Sequence, residues 1–494
     1  METNQLFGRG TAFAPGRAQP ASEDPLLFLQ FRWIAAALAL LFAAGAPAAA
    51  EPEAGAPDPA DADRERLRQV EQQVEILKRK LEVSEEDAQQ KASRTATAGA
   101  GPDGFFLRSP DGKFQIKLRG YTQFDSRWLT RSEDAGDDTF AFRRVRPFVE
   151  GTVFEYVDYR VMPDFANSTL TLFDAYVNFR YLTQLQVQAG KFKPPVGLER
   201  LQPATATMFI ERGFPTLLVP NRDLGGMIHG ELANGFFTYQ VGGFNGVRDG
   251  GTQDVDTDDG KDVVGRVFVH PFRPIGNQWL DGFGIGAAGS WGRIDEQSPA
   301  AFKAIAESGN FFAYRGADTG AAPVFAAVAG EGERVRFSPQ AYWYAGPVGV
   351  IGEYVVSEQD LHRDLVAGGT AANDELHHTA WQVAASLALT GENASYKGLI
   401  PASPFDPFKG TWGAFEVAGR YNEINFDSDS FPVFANPDTS VDRAQGWAAG
   451  VNWYLNRYVR VMVNFDHTWF HGGAPDGDDR ATEDTILTRV QLSY

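Results

Sequence analysis

Arginines and lysines recur at alternate positions of short segments throughout residues 114–494. A row of such cations does anion chemistry, because each can replace water around a phosphate or carboxylate through charge-assisted hydrogen bonds. The polar phase of each segment carries Lys117, Arg119, Arg127, Arg144, Arg146, Arg160, Arg180, Arg266, Arg334, Arg336, Arg420, Arg460 and Arg489, against Asp125, Glu150, Asp158, Asp164, Asp174, Glu353, Glu416 and Asp466. Thirteen bases thus meet eight acids, although the whole chain, with 45 basic and 64 acidic residues, has a formal charge of −19. Two readings of the bases stay open: contacts for passing anions, or ion pairs with the acids that stiffen a wall.

Other chemistries find little support. No nucleophile elbow and no Ser, His and acid spacing stands out, so an enzyme is not expected. Zero cysteines exclude thiolate ligands, thiol nucleophiles and disulfides, and the acidic balance argues against a nucleic-acid partner. "GIGAAG" at 284–289 fits a dinucleotide pattern, but no helix follows it. "DVDTDDG" lacks the glutamate at position twelve of a calcium loop, where Gly265 stands. His377 and His378 have no neighbouring ligand set and read as loop decoration. No metal and no cofactor is expected.

The elements that would position the bases are strands. "FQIKLRGYTQFDSRW" at 114–128 alternates an apolar set, with Phe114, Ile116, Leu118, Phe124 and Trp128, and a charged set between them. Sixteen segments of this kind are expected: 114–128, 139–152, 155–165, 169–182, 184–193, 224–234, 235–247, 261–272, 281–293, 333–345, 348–360, 378–391, 410–426, 443–455, 458–470 and 484–494. Connections alternate between short turns and longer Asp- and Gly-rich loops, as in an up-and-down outer-membrane barrel. Repeated around a closed ring, this polarity puts apolar faces on lipid and charged faces on a water-filled lumen, and closure satisfies every strand edge. The exception is the proline-rich stretch 393–410, long where a short turn belongs.

Ahead of the barrel, assigned to 113–494, the chain reads as a signal peptide and leader over 1–50, with Arg32 before the apolar run Ile34–Ala44, then a linker at 51–62. Residues 63–91 carry Leu67, Val70, Val74, Leu77 and Leu81 at alternating spacings of three and four, a short periplasmic coiled coil. A linker at 92–112 follows.

"FRRVRPFVEGTVFEYVDYRVMPDF" at 142–165, "DAYVNFRY" at 174–181, "QAGKFKPPVGLERL" at 188–201, "FIERGFPTLLVPNRDLGGMIHG" at 209–230 and "PFDPFKGTWGAFEVAGRYN" at 404–422 resemble the phosphate-selective porin O and P family, over residues 103–494. The resemblance implies a trimeric sixteen-stranded channel for small anions of the phosphate or polyphosphate kind, embedded in outer-membrane lipid, with the third external loop folded inward. The insert at 393–410 also resembles a family habit. One departure is that residues 194–223 hold no lysine or serine with which to build a tight phosphate cage.

That loop is expected to enter the lumen, since its apolar Met208, Phe209, Ile210, Phe214, Leu217 and Leu218 need shelter. It would then hold Arg200, Arg212 and Arg222 at the narrowest point beside Lys191 and Lys193. Strand phase puts both lysines on the lipid side unless a bulge intervenes. A structural outer-membrane protein, tethering or adhering through its helix and loops, is the competing reading; it needs no open lumen.

Overall fold

The computed structural model describes residues 59–92, 95–101, 104–131, 137–256, 258–305, 309–320, 324–366 and 370–494. The expected signal peptide and leader fall outside the described residues. A helix, Pro59–Ala92, covers the heptad segment and begins within the stretch expected as a linker; most of it belongs to the first unit, which ends at Glu85. In the single chain Leu67, Val70, Val74, Leu77 and Leu81 are 44–64% exposed.

The second unit is built from strands. In chain order they are β1 (Thr97–Gly101), β2 (Gly104–Arg108), β3 (Gln115–Arg131), β4 (Thr139–Val153), β5 (Val157–Asp164), β6 (Thr171–Leu182), β7 (Leu185–Phe192), β8 (Asp223–Leu232), β9 (Phe237–Phe244) and β10 (Asp262–Val269). They continue with β11 (Phe283–Gln297), β12 (Phe302–Lys303), β13 (Asn310–Phe312), β14 (Ala329–Ala345), β15 (Val348–Asp364), β16 (Thr370–Ala388), β17 (Ala414–Asn425), β18 (Val441–Tyr454), β19 (Val459–Gly472) and β20 (Glu483–Ser493).

Sixteen of these, β3–β11 and β14–β20, pair antiparallel each with the next, and β20 returns to β3 with Val490 opposite Phe124. The ring is closed, and each expected segment overlaps one barrel strand. β1 and β2 form a hairpin that pairs β2 with the first residues of β3. This hairpin lies within the 92–112 stretch read as a linker; "TAGAG" has no large side chains to alternate, so nothing in it signals a strand.

The direction of the faces is plain on β3. Gln123 and Asp125 are fully buried, whereas Phe124 and Trp128 are 39% and 43% exposed. The outer surface is therefore apolar and the interior polar, the inverse of a soluble sandwich and the requirement of hydrocarbon outside with water inside. Short turns, such as Phe154 and Glu155 with φ of 52° and 68°, cluster at one end of the barrel, and most long loops at the other.

Candidate functional site: a basic constriction

The connection from β7 to β8 enters the barrel, as expected from its apolar content. Met208, Phe209, Ile210, Phe214 and Leu218 are at most 5% exposed. What fixes the loop, however, is polar. Gln123 donates to the Ala204 carbonyl at 3.0 Å, Gln491 to that of Thr205 at 3.2 Å and Asn452 to that of Met208 at 3.0 Å. In the other sense, Asn464 and Asn422 accept from the Ile210 and Phe214 amides at 2.7 and 3.0 Å. Arg489 and Arg420 close the set by donating to the carbonyls of Ile210 and Glu211 at 2.7 and 2.8 Å. A buried backbone must find such partners, and here the wall supplies them.

At the loop's centre sits a buried acid, Glu211. Its carboxylate accepts from Arg143 at 2.7 Å, Arg127 at 3.1 Å and Arg489 at 3.4 Å. Burial would raise its pKa, but Arg143, Arg144, Arg127 and Arg489 prevail and hold it well below the usual carboxylate range. Glu353, on the wall, accepts from the amides of Leu198 and Glu199 at 2.6 and 3.1 Å and so anchors the loop's first helical turn.

The short-turn end contributes a second support. The segment between β16 and β17 folds up into the lumen, where the Tyr396 hydroxyl donates to the Leu198 carbonyl at 2.5 Å and its carbonyl accepts from Gln202 at 2.9 Å. Its ring stacks on Tyr342 with centroids 5.2 Å apart.

Two cavities flank the loop. The larger, of about 900 Å³, is lined by the side chains of Arg119, Arg143, Arg144, Arg146, Arg160, Lys193, Arg200, Arg212, Arg222, Lys397, Arg457 and Arg460 and by a single carboxylate side chain, Asp174. The smaller, of about 310 Å³, lies toward the long-loop end with Arg248, Lys303, Glu211 and Asp249 in its lining. Arg143, Arg144, Arg200, Arg212 and Asn221 line both.

Four of the five residues expected at the constriction therefore line the larger cavity. Lys193 donates to the Leu201 and Gln202 carbonyls at 3.2 and 2.9 Å, and Arg212 to those of Glu199 and Gln202 at 3.0 and 2.9 Å. Arg200 donates to the Thr216 carbonyl. Arg222 donates to Asp174 at 2.8 Å. Burial, and after it the charges of cationic neighbours, holds Lys193, Arg200 and Arg212 below their ordinary pKa values, with Asp174 and Glu199 acting in the opposite sense. Lys191 departs from the expectation. It is buried, ion-paired with Asp254 and part of neither cavity lining, because Lys191 and Lys193 share a strand phase only until β7 ends at Phe192.

The wall bases divide by place. Arg334 and Arg336 lie against Asp262 at 3.2 and 2.9 Å, Arg336 also against Asp249 at 2.6 Å, and Arg420 against Asp466 at 3.1 Å. Arg489 meets Asp125 at 2.6 Å and Arg180 meets Asp158 at 2.7 Å at the short-turn end. Arg266 donates to Gln340 at 3.0 Å, and Lys117 stands opposite Glu150 in the ladder. These pairs stiffen the wall.

The bases around the larger cavity are paired to different degrees. Arg119 is 2.9 Å from Glu150, Arg160 is 3.7 Å from Asp174, and Arg146 is 2.7 Å from Asp164. Among the described residues Arg144 donates only to Gln123, at 2.7 Å, and pairs with no carboxylate. Arg460 reaches Glu416 only at 3.9 Å, and its three guanidinium nitrogens have no hydrogen-bond partner among the described residues.

Arg143 escaped the alternating pattern. Phe142 pairs with Phe124 and Arg144 with Gln123, so Arg143 is the extra residue of a bulge that lets adjacent arginines both serve the lumen. The signal was the "RR" itself, since one of two neighbours in a regular strand would face lipid. His378 also differs from expectation: it lies on β16, buried, with its ring 2.6 Å from the Tyr314 hydroxyl. In "GIGAAG", a Cβ on Gly284 or Gly286 would fall 2.4 or 2.5 Å from the Phe268 ring, so these glycines admit an aromatic neighbour.

A family profile described as phosphate-selective porin O and P matches residues 114–494. No curated protein matches the chain. Among solved structures, the outer membrane channel DcaP of Acinetobacter baumannii is similar at 11% identity and a TM-score of 0.50, covering 79% of this chain and 100% of that one. OmpT of Vibrio cholerae, folded in vitro, is similar at 11% identity and a TM-score of 0.48, over 77% and 98%.

Proposed function

The chain belongs to the phosphate-selective porin O and P family, and from that premise we propose that it forms a passive outer-membrane channel preferring small, phosphate-like anions. The observation that carries this reading is the lining of the larger cavity, twelve basic side chains to one acidic, on a chain of net charge −19. Clustered guanidiniums in a low-dielectric wall raise the local concentration of anions and offer them charge-assisted hydrogen bonds in exchange for hydration. Arg119, Arg160 and Arg460 line that cavity and each keeps at least one buried N–H group with no hydrogen-bond partner among the described residues. Because the loop lacks lysine and serine, we assign preference rather than tight capture.

Purified protein in a planar bilayer under a potassium chloride gradient should give a zero-current potential of anionic sign. That potential should shrink with rising salt, as the Debye length falls from roughly 10 Å at 0.1 M to 3 Å at 1 M. A cationic sign overturns the reading, and absence of conductance favours the tethering alternative that the helix keeps alive.

We further propose a homotrimer with the helices joined as a coiled coil in the periplasm. Support comes from the exposed heptad seam, which a second and third copy would cover. Gently extracted protein should run as a heat-dissociable oligomer on gels, and deletion of residues 63–91 should loosen it without closing the channel. A monomer under gentle extraction rejects the proposal.

A further inference from the structure

We propose that Glu296, Glu331 and His362 form a divalent-cation site on the outer face of the barrel at its long-loop end. Three neighbouring strands supply these residues, each where a ladder is interrupted. The register of β11 with β14 shifts between Ile294 and Gln297, leaving Glu296 as an extra residue with φ of 51°. β14 loses register with β15 between Gly330 and Arg334, and Glu331 stands in the gap. β15 in turn shifts against β16 between Arg363 and Asp364. Bulges re-aim side chains, and here they converge on one imidazole.

His362 Nε2 lies 3.3 Å from Glu296 and 4.0 Å from Asp364, and its Nδ1 lies 3.5 Å from Glu331. One ligand atom from each of Glu296, Glu331 and His362 falls within 4.8 Å of the others. The imidazole is 8% exposed, yet Nδ1 has no hydrogen-bond partner among the described residues. None of the described lysines or arginines pairs with Glu296, Glu331 or Asp364. Three carboxylates around one imidazole leave an excess of negative charge that a cation relieves.

The donor set selects the kind of ion. A ring nitrogen with carboxylate oxygens suits a borderline cation such as Zn²⁺, whereas Ca²⁺ and Mg²⁺ favour all-oxygen shells. The 3.3 Å from Nε2 to Glu296 matches one edge of a tetrahedron with legs of about 2.0–2.1 Å, and Glu331, nearer Nδ1, keeps a carboxylate oxygen within 4.8 Å of the same group of ligand atoms. Bound there, the ion would staple three strands where their backbone ladders lapse. His362 shares the strand phase of outward-facing Tyr354, so the site is separate from the lumen.

Full-length protein in detergent, stripped with a chelator and titrated calorimetrically with zinc chloride, should take up one Zn²⁺ per chain, undiminished by excess Ca²⁺. His362→Ala should weaken uptake by about 100-fold or more, and Glu296→Gln with Glu331→Gln should do likewise. Unchanged single-channel conductance would certify the fold of each variant. No stoichiometric uptake by the wild type, or uptake that survives both variants, overturns the site and leaves the carboxylates as neighbours of the ring only.

Discussion

Replacing Glu211 by alanine is expected to release the inward loop. The carboxylate compensates Arg127, Arg143 and Arg489 inside the lumen, each within 3.4 Å, and is itself 7% exposed. Removing the shared partner of a buried charge cluster costs about 3–5 kcal/mol, because three buried cations lose their common counter-charge, although Arg127 and Arg489 keep Asp125. The three guanidiniums would then repel one another and draw in water and chloride. The Ile210 and Glu211 carbonyls lie on the same stretch, so the grip of Arg489 and Arg420 should fail with it. The readout is a lower heat-dissociation temperature together with larger, more anion-selective single-channel conductance. A variant with wild-type conductance would show that the amides and asparagines alone hold the loop.

Arg144 governs selectivity in the second expected result. Among the described residues this base, common to both cavities, pairs with no carboxylate and donates only to Gln123. Its charge is therefore directed at the passage, and its loss should leave the packing in place. At about 6 Å across a water-filled lumen of dielectric constant about 80, one unit charge is worth roughly 0.7 kcal/mol to a passing ion, in favour of an anion and against a cation. Arg144→Gln should lower the anion to cation permeability ratio roughly tenfold, and Arg144→Glu should carry the zero-current potential toward cations. An unmoved potential would assign selectivity elsewhere on the wall. Reversing Arg200 and Arg212 is a poorer test, because both donate to loop carbonyls that the constriction needs.

The barrel was legible in the sequence because lipid outside and water inside impose a strict two-residue period, as on β3. The loop's direction was legible from its apolar residues. Its anchors were not: Asn464 meets Ile210 across 254 positions, and Asn422 meets Phe214 across 208. Nothing local distinguishes an asparagine that will hold a loop from one that merely faces water. Bulges defeat the period for the same reason that they are useful. Arg143 and Glu296 point where a regular strand would not send them, and Lys191 is tied to Asp254 by a loop whose path the pattern does not encode. The arginines drew two readings, and the fold separates those that an acid across the lumen claims from Arg144 and Arg460, which have no carboxylate within 3.5 Å among the described residues.

Tyr396 rises from the turn end to hold Leu198 and Gln202, while Asn464, Asn452 and Arg489 grip the same loop from the wall. The constriction is thus a strut fastened at three sides rather than a flap hinged at one rim. A flap would let each mouth fluctuate alone; a strut makes the bore a property of the whole ring. Length changes in the β16–β17 turn, far from any solute entering at the opposite mouth, are therefore transmitted to the calibre of the channel.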